Sequence, residues 1–264
     1  MQKRIIFLLF LNVGAILVSL GIISHLSVTA SIERSLENRL MLANIIGRYI
    51  DYVIEGNVKR LYDVSLSGKV DLEDNDWEPE RKALKTAMEY SIFTGRIFLL
   101  DRQGRVLLSY PHREEEGVDT FSLPYVRKVT ADLKPAITDV HTLPTTKRSL
   151  VLALVPMKNK DGEVVGVAGG EIDPTNYMLS QFIAAIPAGS DTIIELVDSQ
   201  GVIIASNDPR RILTCGDRYR FLKGLSTERK GSVQSCHRCK EGAPESGRER
   251  DMLAFAPLSM APWG

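Results

Sequence analysis

The chain has no excess of charge of either sign: its 264 residues include 33 Lys plus Arg and 33 Asp plus Glu, which gives a formal net charge of zero. Proteins that bind nucleic acid usually carry a basic patch or stripe, because contacts to the phosphates supply much of their affinity. No such stripe is present in this sequence, so we expect no nucleic-acid partner. Apolar residues make up 44% of the chain, which is enough for a hydrophobic core.

Catalytic signatures are also missing. The sequence has no Gly-rich nucleotide loop, no Ser, His and Asp in a hydrolase-like arrangement, and no His placed as a phosphoacceptor in a helical dimerisation segment. We therefore assign no catalytic residue, and an enzyme of unknown type is the weakest alternative. Any catalysis by a longer parent protein is expected downstream of Gly264.

One long stretch, Ile5–Leu26, contains no Asp, Glu, Lys or Arg. Its length of about 22 residues, roughly 33 Å as a helix, is enough to cross a bilayer. The basic residues before it predict, by the positive-inside rule, that residues 1–4 are cytoplasmic and that residues 5–28 form a transmembrane helix. Residues beyond about 30 are then outside the cytoplasm. A signal peptide cleaved near residue 30 is the alternative, but this apolar stretch is longer than such peptides usually have.

Proline is absent from residues 31–67, and apolar residues recur there at helical spacing. This pattern predicts a long stalk helix over residues 30–67 that continues directly from the membrane span. Its broad apolar face suits packing on a protein core as well as pairing of two such helices. One alternating stripe on this face consists of Leu36, Leu40, Ala43, Gly47, Ile50, Ile54, Leu61 and Val64.

The chain contains an internal repeat. An apolar strand, an Asp-x-Gln-Gly turn and a second apolar strand occur around Asp101–Gly104 and again around Asp198–Gly201. Each is followed by the motif Leu-Ala-x-x-Pro, at Leu152–Pro156 and at Leu253–Pro257. Two elements that recur in the same order, roughly 100 residues apart, predict a tandem pair of similar small domains.

The first repeat predicts strands at residues 96–101, 106–110, 149–157 and 164–171, with a short helix around 124–133 between the second and third. An Asp-Gly turn between the last two strands is typical of a hairpin. Two strands, a helical crossing and a hairpin make an antiparallel sheet with helices on one face, which is an α+β fold.

The second repeat predicts strands at residues 192–198, 202–206 and 251–258, and a helix at 217–225. We expect a first unit at residues 68–173, a connecting helix at 174–189, and a second unit at 190–264. The second unit stops where the first would place its last strand, so we expect that strand to be missing.

Three cysteines are present, and two of them lie in the motif Cys236-His237-Arg238-Cys239. Covalent c-type haem needs a His directly after the second Cys, where this chain has Lys240, so we expect no haem and no other cofactor. A disulfide from Cys215 to Cys236 or to Cys239 would close a loop of about 20 residues and stabilise the fold by about 3 kcal/mol. It would leave one thiol as a redox switch. A metal site is the remaining interpretation, with ligands from Cys215, Cys236, His237 and Cys239.

These features resemble, in their order along the chain, the double Cache sensor module of bacterial transmembrane receptors. The resemblance covers about residues 30–264. It rests on the long helix around residues 44–51, on the hairpin segment 98–104, on Pro135–Val140, on 159–173, and on Pro262-Trp263-Gly264 at the end of the chain.

The resemblance implies two PAS-like units stacked along one helix, in a homodimer anchored in the bacterial inner membrane. Such modules bind a small extracellular or periplasmic molecule, usually in the membrane-distal unit, here residues 68–173. They signal across the membrane to an output domain, of which a histidine kinase is favoured here. A diguanylate cyclase or a chemoreceptor is the alternative output.

If the resemblance holds, the ligand lies between the first sheet and its covering loops. Arg113 beside Asp139 and Asp173 could hold an amphoteric or carboxylate ligand by charge-assisted hydrogen bonds. The family's amino-acid-binding version carries a Trp-Tyr pair after the second strand, and this chain lacks it, which counts against an amino acid. The candidate ligand residues are Tyr110, His112, Arg113, Tyr125, Asp139, His141, Glu171 and Asp173.

A second function of a different class stays open. The chain could be a membrane-anchored redox or metal-binding protein built on its three cysteines. A sensor predicts that Cys236→Ser with Cys239→Ser leaves ligand binding intact, whereas the redox hypothesis predicts complete loss of function in a stably folded double variant.

Overall fold

The computed structural model describes residues 2–66, 77–112, 122–143, 146–159, 161–187, 192–215, 231–237 and 250–264. The chain divides into two compact units. The larger contains residues 46–230 and 257–264, and the smaller contains residues 1–45 and 231–256. The first helix, α1, runs from Gln2 to Leu66 and contributes to both.

The helix α1 joins the predicted membrane span and the predicted stalk without a break. Among the described residues it is the one helix long and apolar enough to cross a membrane, and none of its most apolar window is buried. Three further helices follow, at α2 Glu78–Glu89, α3 Ser122–Asp132 and α4 Met178–Ala184. Pro79 lies in the first turn of α2, where a missing N–H costs no hydrogen bond.

Six strands of the larger unit form the first sheet, all paired antiparallel. Their order is β2-β1-β6-β5-β3, and β4 pairs with β5 beside this path. The bounds are β1 Ile97–Asp101, β2 Val106–Tyr110, β3 Ala136–Ile137, β4 His141–Thr142, β5 Ser149–Lys158 and β6 Val164–Ile172. The four predicted strands of the first repeat are confirmed, whereas β3 and β4 have two residues each and carry no pattern that predicts them.

Both faces of the first sheet are covered by helices. One face packs against α1 and α2 through residues such as Leu99, Val151 and Val155, which are at most 1% exposed. The other face packs against α3 through Phe98, Leu154 and Val167. Because successive residues of a strand point to opposite faces, the alternation of these residues along β1, β5 and β6 fixes which side chains lie under α3.

The second repeat contributes a two-stranded hairpin, β7 Glu195–Val197 and β8 Ile203–Ser206. The end of the described chain lies along β7, since Val197 and Gly264 exchange backbone hydrogen bonds of 2.8 and 3.0 Å. The neighbouring Trp263 is 1% exposed. The predicted helix at 217–225 lies outside the described residues.

In the smaller unit, β9 Ser232–His237 pairs antiparallel with β10 Arg250–Phe255. The strand predicted at 251–258 therefore exists but ends three residues earlier. The polar run of β9 gave no strand signal in the sequence. The antiparallel sheets and the helices together confirm the α+β class.

Candidate functional site

Three strand ends of the first sheet meet at one place. The start of β1 lies beside the end of β6, where Glu171 N–H donates to Arg96 O at 2.8 Å and Gly95 N–H donates to Glu171 O at 3.1 Å. The start of β5 lies on the other side of β6, because Val151 pairs with Ile172. Side chains from these three ends therefore share one edge of the sheet.

Four charged side chains at this edge form what we call the arginine–carboxylate cluster: Arg96, Arg148, Glu171 and Asp173. Arg96 Nε lies 2.5 Å from Glu171 Oε1. Arg148 bridges the two carboxylates, with Nη1 at 3.8 Å from Glu171 Oε2 and Nη2 at 3.4 Å from Asp173 Oδ2. Two positive and two negative charges balance each other, which is what a charged group needs when it leaves water.

The four side chains of the cluster differ in how deeply they are buried. The side chain of Glu171 is 2% exposed and that of Arg96 is 13% exposed, whereas Arg148 and Asp173 are 27% and 20% exposed. Glu171 Oε2 is buried and accepts no hydrogen bond from any group in the described part of the chain. A buried carboxylate oxygen without a donor costs stability.

The surroundings hold Arg96 and Glu171 in place. The Arg96 guanidinium lies over the Phe98 ring, 5.4 Å from its centroid, in a cation–π contact. Gly95 leaves room for the glutamate, because a Cβ at that position would lie 2.6 Å from Glu171 Oε2 and 2.7 Å from Glu171 Cβ. Thr94, just before β1, holds the residue after β6, since its hydroxyl oxygen accepts Asp173 N–H at 3.0 Å.

Asp173 also has a local structural role. Its Oδ1 accepts the backbone N–H of Thr175 at 2.9 Å and the Thr175 hydroxyl at 2.6 Å, which caps the 3₁₀ turn Pro174–Asn176. One carboxylate oxygen is therefore committed to the turn, and Oδ2 faces Arg148.

Of the predicted ligand residues, the structure brings Glu171 and Asp173 together through Arg148. Arg113 lies outside the described residues. Tyr110 packs with the residues that face α1 and α2, on the opposite side of the sheet from Phe98, and His112 is exposed. The sequence therefore grouped side chains that do not all share a face.

The other three predicted residues lie at separate places: Asp139 is hydrogen-bonded to the second hairpin, and His141 pairs with Leu150 at the start of β5. Tyr125 is half-buried on α3, and burial together with the negative charge of Asp139 raises the pKa of its hydroxyl. Asp139 accepts hydrogen bonds from Ser199 at the β7–β8 turn, and His141 is half-buried in β4. Whether any of the eight residues contacts a ligand stays a prediction.

Sequence reasoning missed Arg96 and Arg148, the two cations of the cluster. Arg96 is the first residue of a predicted strand and Arg148 directly precedes one, and neither lies in a recognisable motif. The signal that could have found them is register: if β1 and β6 pair antiparallel, the residue at the start of β1 lies beside Glu171.

Cys215 is exposed and carries a free thiol in this structure. The side chain of Cys236, in β9, and all of Cys239 lie outside the described part of the structure, so a disulfide from Cys215 to either of them stays a prediction. Within the described residues, no group of three or more His, Cys, Asp or Glu side chains is arranged to hold a metal ion.

No protein-family model matches the chain, and neither does any curated protein sequence. Solved structures do match. The extracellular domain of the putative histidine kinase rpHK1S-Z16 aligns with a TM-score of 0.63 and 16% identity, over 86% of this chain and 91% of that one.

Two chemoreceptor domains also align, with lower TM-scores. The ligand-binding domain of Pseudomonas fluorescens CtaA, in complex with L-isoleucine, aligns with a TM-score of 0.55 and 15% identity over 86% of this chain and 94% of that one. The ligand-binding domain of Pseudomonas aeruginosa PctC, in complex with GABA, aligns with a TM-score of 0.55 and 14% identity over 83% and 97%. The chain therefore has the α+β fold of Cache-type receptor sensor domains.

Proposed function

We propose that this chain is the ligand-sensing region of a membrane-bound signal-transduction receptor. The observation that carries the proposal is the arginine–carboxylate cluster: a buried glutamate with one oxygen that lacks a donor, set between two arginines on a sensor fold. A charge cluster that served stability alone would be expected to satisfy every buried oxygen.

The cluster suits a small amphoteric ligand. An ammonium group of the ligand would donate to Glu171 Oε2, and a carboxylate of the ligand would bind Arg148, the more exposed of the two arginines. L-isoleucine and GABA, named with the two chemoreceptor domains, both carry these two groups. An amino acid is therefore the ligand class we favour, although the chain lacks the Trp-Tyr pair.

The exposed apolar part of α1 and the fold of the neighbours support a receptor with its sensor domain outside the cytoplasm. We assign residues 5–28 to the bacterial inner membrane and residues beyond about 30 to its outer side. The tandem arrangement with units at 68–173 and 190–264, the homodimer and a histidine kinase as output belong to the same proposal. A diguanylate cyclase or a chemoreceptor signalling domain is the alternative output.

Ligand titration of the full chain in detergent micelles tests the proposal. L-isoleucine, GABA and succinate would be added while the melting temperature is followed, since a ligand that binds only the folded state raises it by mass action. Glu171→Gln is expected to weaken the binding of an amine-bearing hit by 10-fold or more, as loss of a charge-assisted hydrogen bond of about 1.5–3 kcal/mol requires.

Glu163→Gln is the matched control, because Glu163 is an exposed carboxylate just before β6 and outside the cluster. It should leave the affinity unchanged. Equal affinity of the Glu171→Gln variant would remove the cluster from the proposal. A shift on adding zinc or a reductant, with no shift for any organic probe, would favour the cysteine-based function instead.

A further inference from the structure

The arginine–carboxylate cluster lies one strand away from a second network of hydrogen bonds. Glu171 is directly opposite Leu152 of β5. On the other side of β5, the Thr138 N–H donates to Leu152 O at 2.9 Å, and the Leu152 N–H donates to the Thr138 hydroxyl oxygen at 3.0 Å. Thr138 directly follows β3 and is 1% exposed. Leu152 is therefore held between the cluster and Thr138.

Thr138 also binds a residue that is distant in sequence. Its carbonyl oxygen accepts the indole N–H of Trp263 at 3.1 Å. A buried indole needs such a partner, because an unpaired N–H away from water costs stability. Trp263 belongs to the same hydrophobic core as Ile50 and Ile54 of α1. The indole thus connects the core beside α1 with the segment that pairs with β5.

Trp263 closes a short loop, Leu258–Trp263, which we call the 258–263 loop. The Leu258 N–H donates to Trp263 O at 2.8 Å, and the side chains of Leu258 and Ala261 are buried in the same core. One side of the loop is therefore fixed by packing, and its other side faces α1.

A single carboxylate of α1 binds this loop. Asp51 Oδ1 accepts the backbone N–H of Met260 at 2.9 Å. Asp51 Oδ2 accepts the backbone N–H of Ser259 at 2.8 Å and the Ser259 hydroxyl at 2.9 Å. Hydrogen bonds to an ionised acceptor are stronger than those between neutral groups, so Asp51 fixes the position of the loop along α1. All of these residues lie in the larger unit.

We infer that the 258–263 loop couples the arginine–carboxylate cluster to α1, so that a change at the cluster alters how firmly the loop is held by Asp51. Every step of the path is a strand pairing, a hydrogen bond or the loop itself: Glu171, Leu152, Thr138, Trp263 and Asp51 follow one another. A role of this coupling in signalling rests on the proposed function, whereas the coupling itself needs no ligand.

Hydrogen exchange of the full chain in micelles tests the coupling without a ligand. Glu171→Gln removes the charge that holds Arg148, the residue directly before β5, so the start of β5 and the contacts beyond it loosen. The Ser259 and Met260 amides should then exchange about 3-fold faster or more, measured relative to the amides of α2, which reports any general loss of stability. Glu163→Gln, an exposed change outside the cluster, should leave this ratio unchanged.

Trp263→Phe interrupts the path in the middle. It keeps an aromatic ring in the core and removes the indole N–H that binds Thr138. In this background Glu171→Gln should have no further effect on the loop amides. Trp77→Phe is the matched control, because Trp77 is the other tryptophan of the chain and lies half-buried at the start of α2. In that background the effect of Glu171→Gln should persist.

Asp51→Ala tests the same path from its other end, at an exposed contact that leaves the core intact. Because coupling between two sites is reciprocal, loss of the Asp51 contact should speed exchange of the Leu152 amide, again relative to α2. Glu55→Ala is the matched control, because Glu55 is an exposed carboxylate one turn further along α1. It should leave the Leu152 amide unchanged. This arm decides the inference if Trp263→Phe fails to fold.

L-isoleucine and GABA provide the ligand arm. A probe that raises the melting temperature should also slow exchange of the Ser259 and Met260 amides in the wild type, and it should not do so in Trp263→Phe. A bound probe that leaves these amides unchanged would overturn the inference. So would an unchanged ratio in Glu171→Gln, or an equal effect of Glu171→Gln with and without the indole. Absence of binding by both probes would count against the proposed function alone, because the variants decide the coupling by themselves.

Discussion

The two Asp-x-Gln-Gly hairpins have the same backbone and opposite electrostatics. In both, the glycine has a positive φ, 82° at Gly104 and 80° at Gly201, and its N–H donates to the carbonyl of the aspartate at 3.0 Å. Both hairpins also carry a register shift in the strand just before the aspartate. The sequence repeat is therefore a repeat of one turn structure.

The environments of the two aspartates differ. Partial burial acts to raise the pKa of Asp101, but hydrogen bonds from Arg105 and Gln103 and the charge of Arg105 outweigh it, so the pKa is lowered. At Asp198 burial is the main cause that raises the pKa and the charge of Asp139 raises it further, which together outweigh the backbone hydrogen bonds from Val202 and Val140. Asp and Gly thus encode the turn in both hairpins. The direction of the pKa shift depends on the surroundings, which are Arg105 at the first hairpin, and burial with the charge of Asp139 at the second.

The largest expected effect comes from removing the carboxylate of Asp198. Asp198 accepts three backbone N–H groups, from Gln200 and Val202 at 2.8 Å and from Val140 at 3.0 Å, and it is buried. Asp198→Ala should lower the free energy of unfolding by about 3 kcal/mol, because buried donors are left without an acceptor.

The matched change at the first hairpin should cost less. Asp101 accepts two backbone N–H groups, from Gln103 and Arg105, in a more exposed turn where water can replace it. We expect about 1 kcal/mol for Asp101→Ala. Urea unfolding of both variants measures the difference, and equal losses would mean that the contact of Asp198 with Val140 contributes nothing.

Most of the first sheet could be predicted from the sequence, because the long strands β5 and β6 are apolar and end at turn residues such as Gly162. The strands β3 and β9 could not. Ala136–Ile137 is only two residues long and owes its pairing to β5, and Ser232–His237 is polar and pairs with β10. In both cases the strand forms because it pairs with a neighbouring strand, and the local sequence has no apolar pattern that predicts it.

The candidate site could be predicted in part. Glu171 and Asp173 stand out because charged residues at the end of an apolar strand need a partner. Their partners do not stand out, because Arg96 and Arg148 are 75 and 23 residues from Glu171 in sequence and meet it only through sheet register. Asp139 was grouped with the ligand residues, yet its hydrogen bonds go to Ser199 of the second hairpin.

A further prediction concerns the glycines of the two turns. Gly104→Ala and Gly201→Ala should each cost about 1 kcal/mol, because a side chain makes a positive φ unfavourable. Since the two turns share their backbone, the losses should agree, unlike those of the aspartates. Thermal or urea unfolding of the two variants compares them directly. A loss confined to one hairpin would mean that the turns share a sequence pattern but not a common strain.

The smallest effect on stability is expected from Arg105→Val, which gives the first hairpin the residue that the second one has at this position. The Arg105 side chain is 66% exposed and its Nε lies 2.7 Å from Asp101 Oδ2, so solvent screens the pair and its loss should cost at most about 0.5 kcal/mol.

The effect of Arg105→Val on the titration of Asp101 should be clearer. Because the pKa of Asp101 is lowered in the folded chain, this group adds stability above its unfolded pKa and loses that contribution as the pH falls through the folded value. Arg105→Val removes the side-chain hydrogen bond and the charge that lower the pKa, and it keeps the backbone N–H. The midpoint of Asp101 in a ¹³C titration should therefore rise, while that of Asp198 stays where it is. A midpoint that does not move would assign the lowering to the backbone N–H groups alone, and the two hairpins would then differ only because Asp198 is buried next to Asp139.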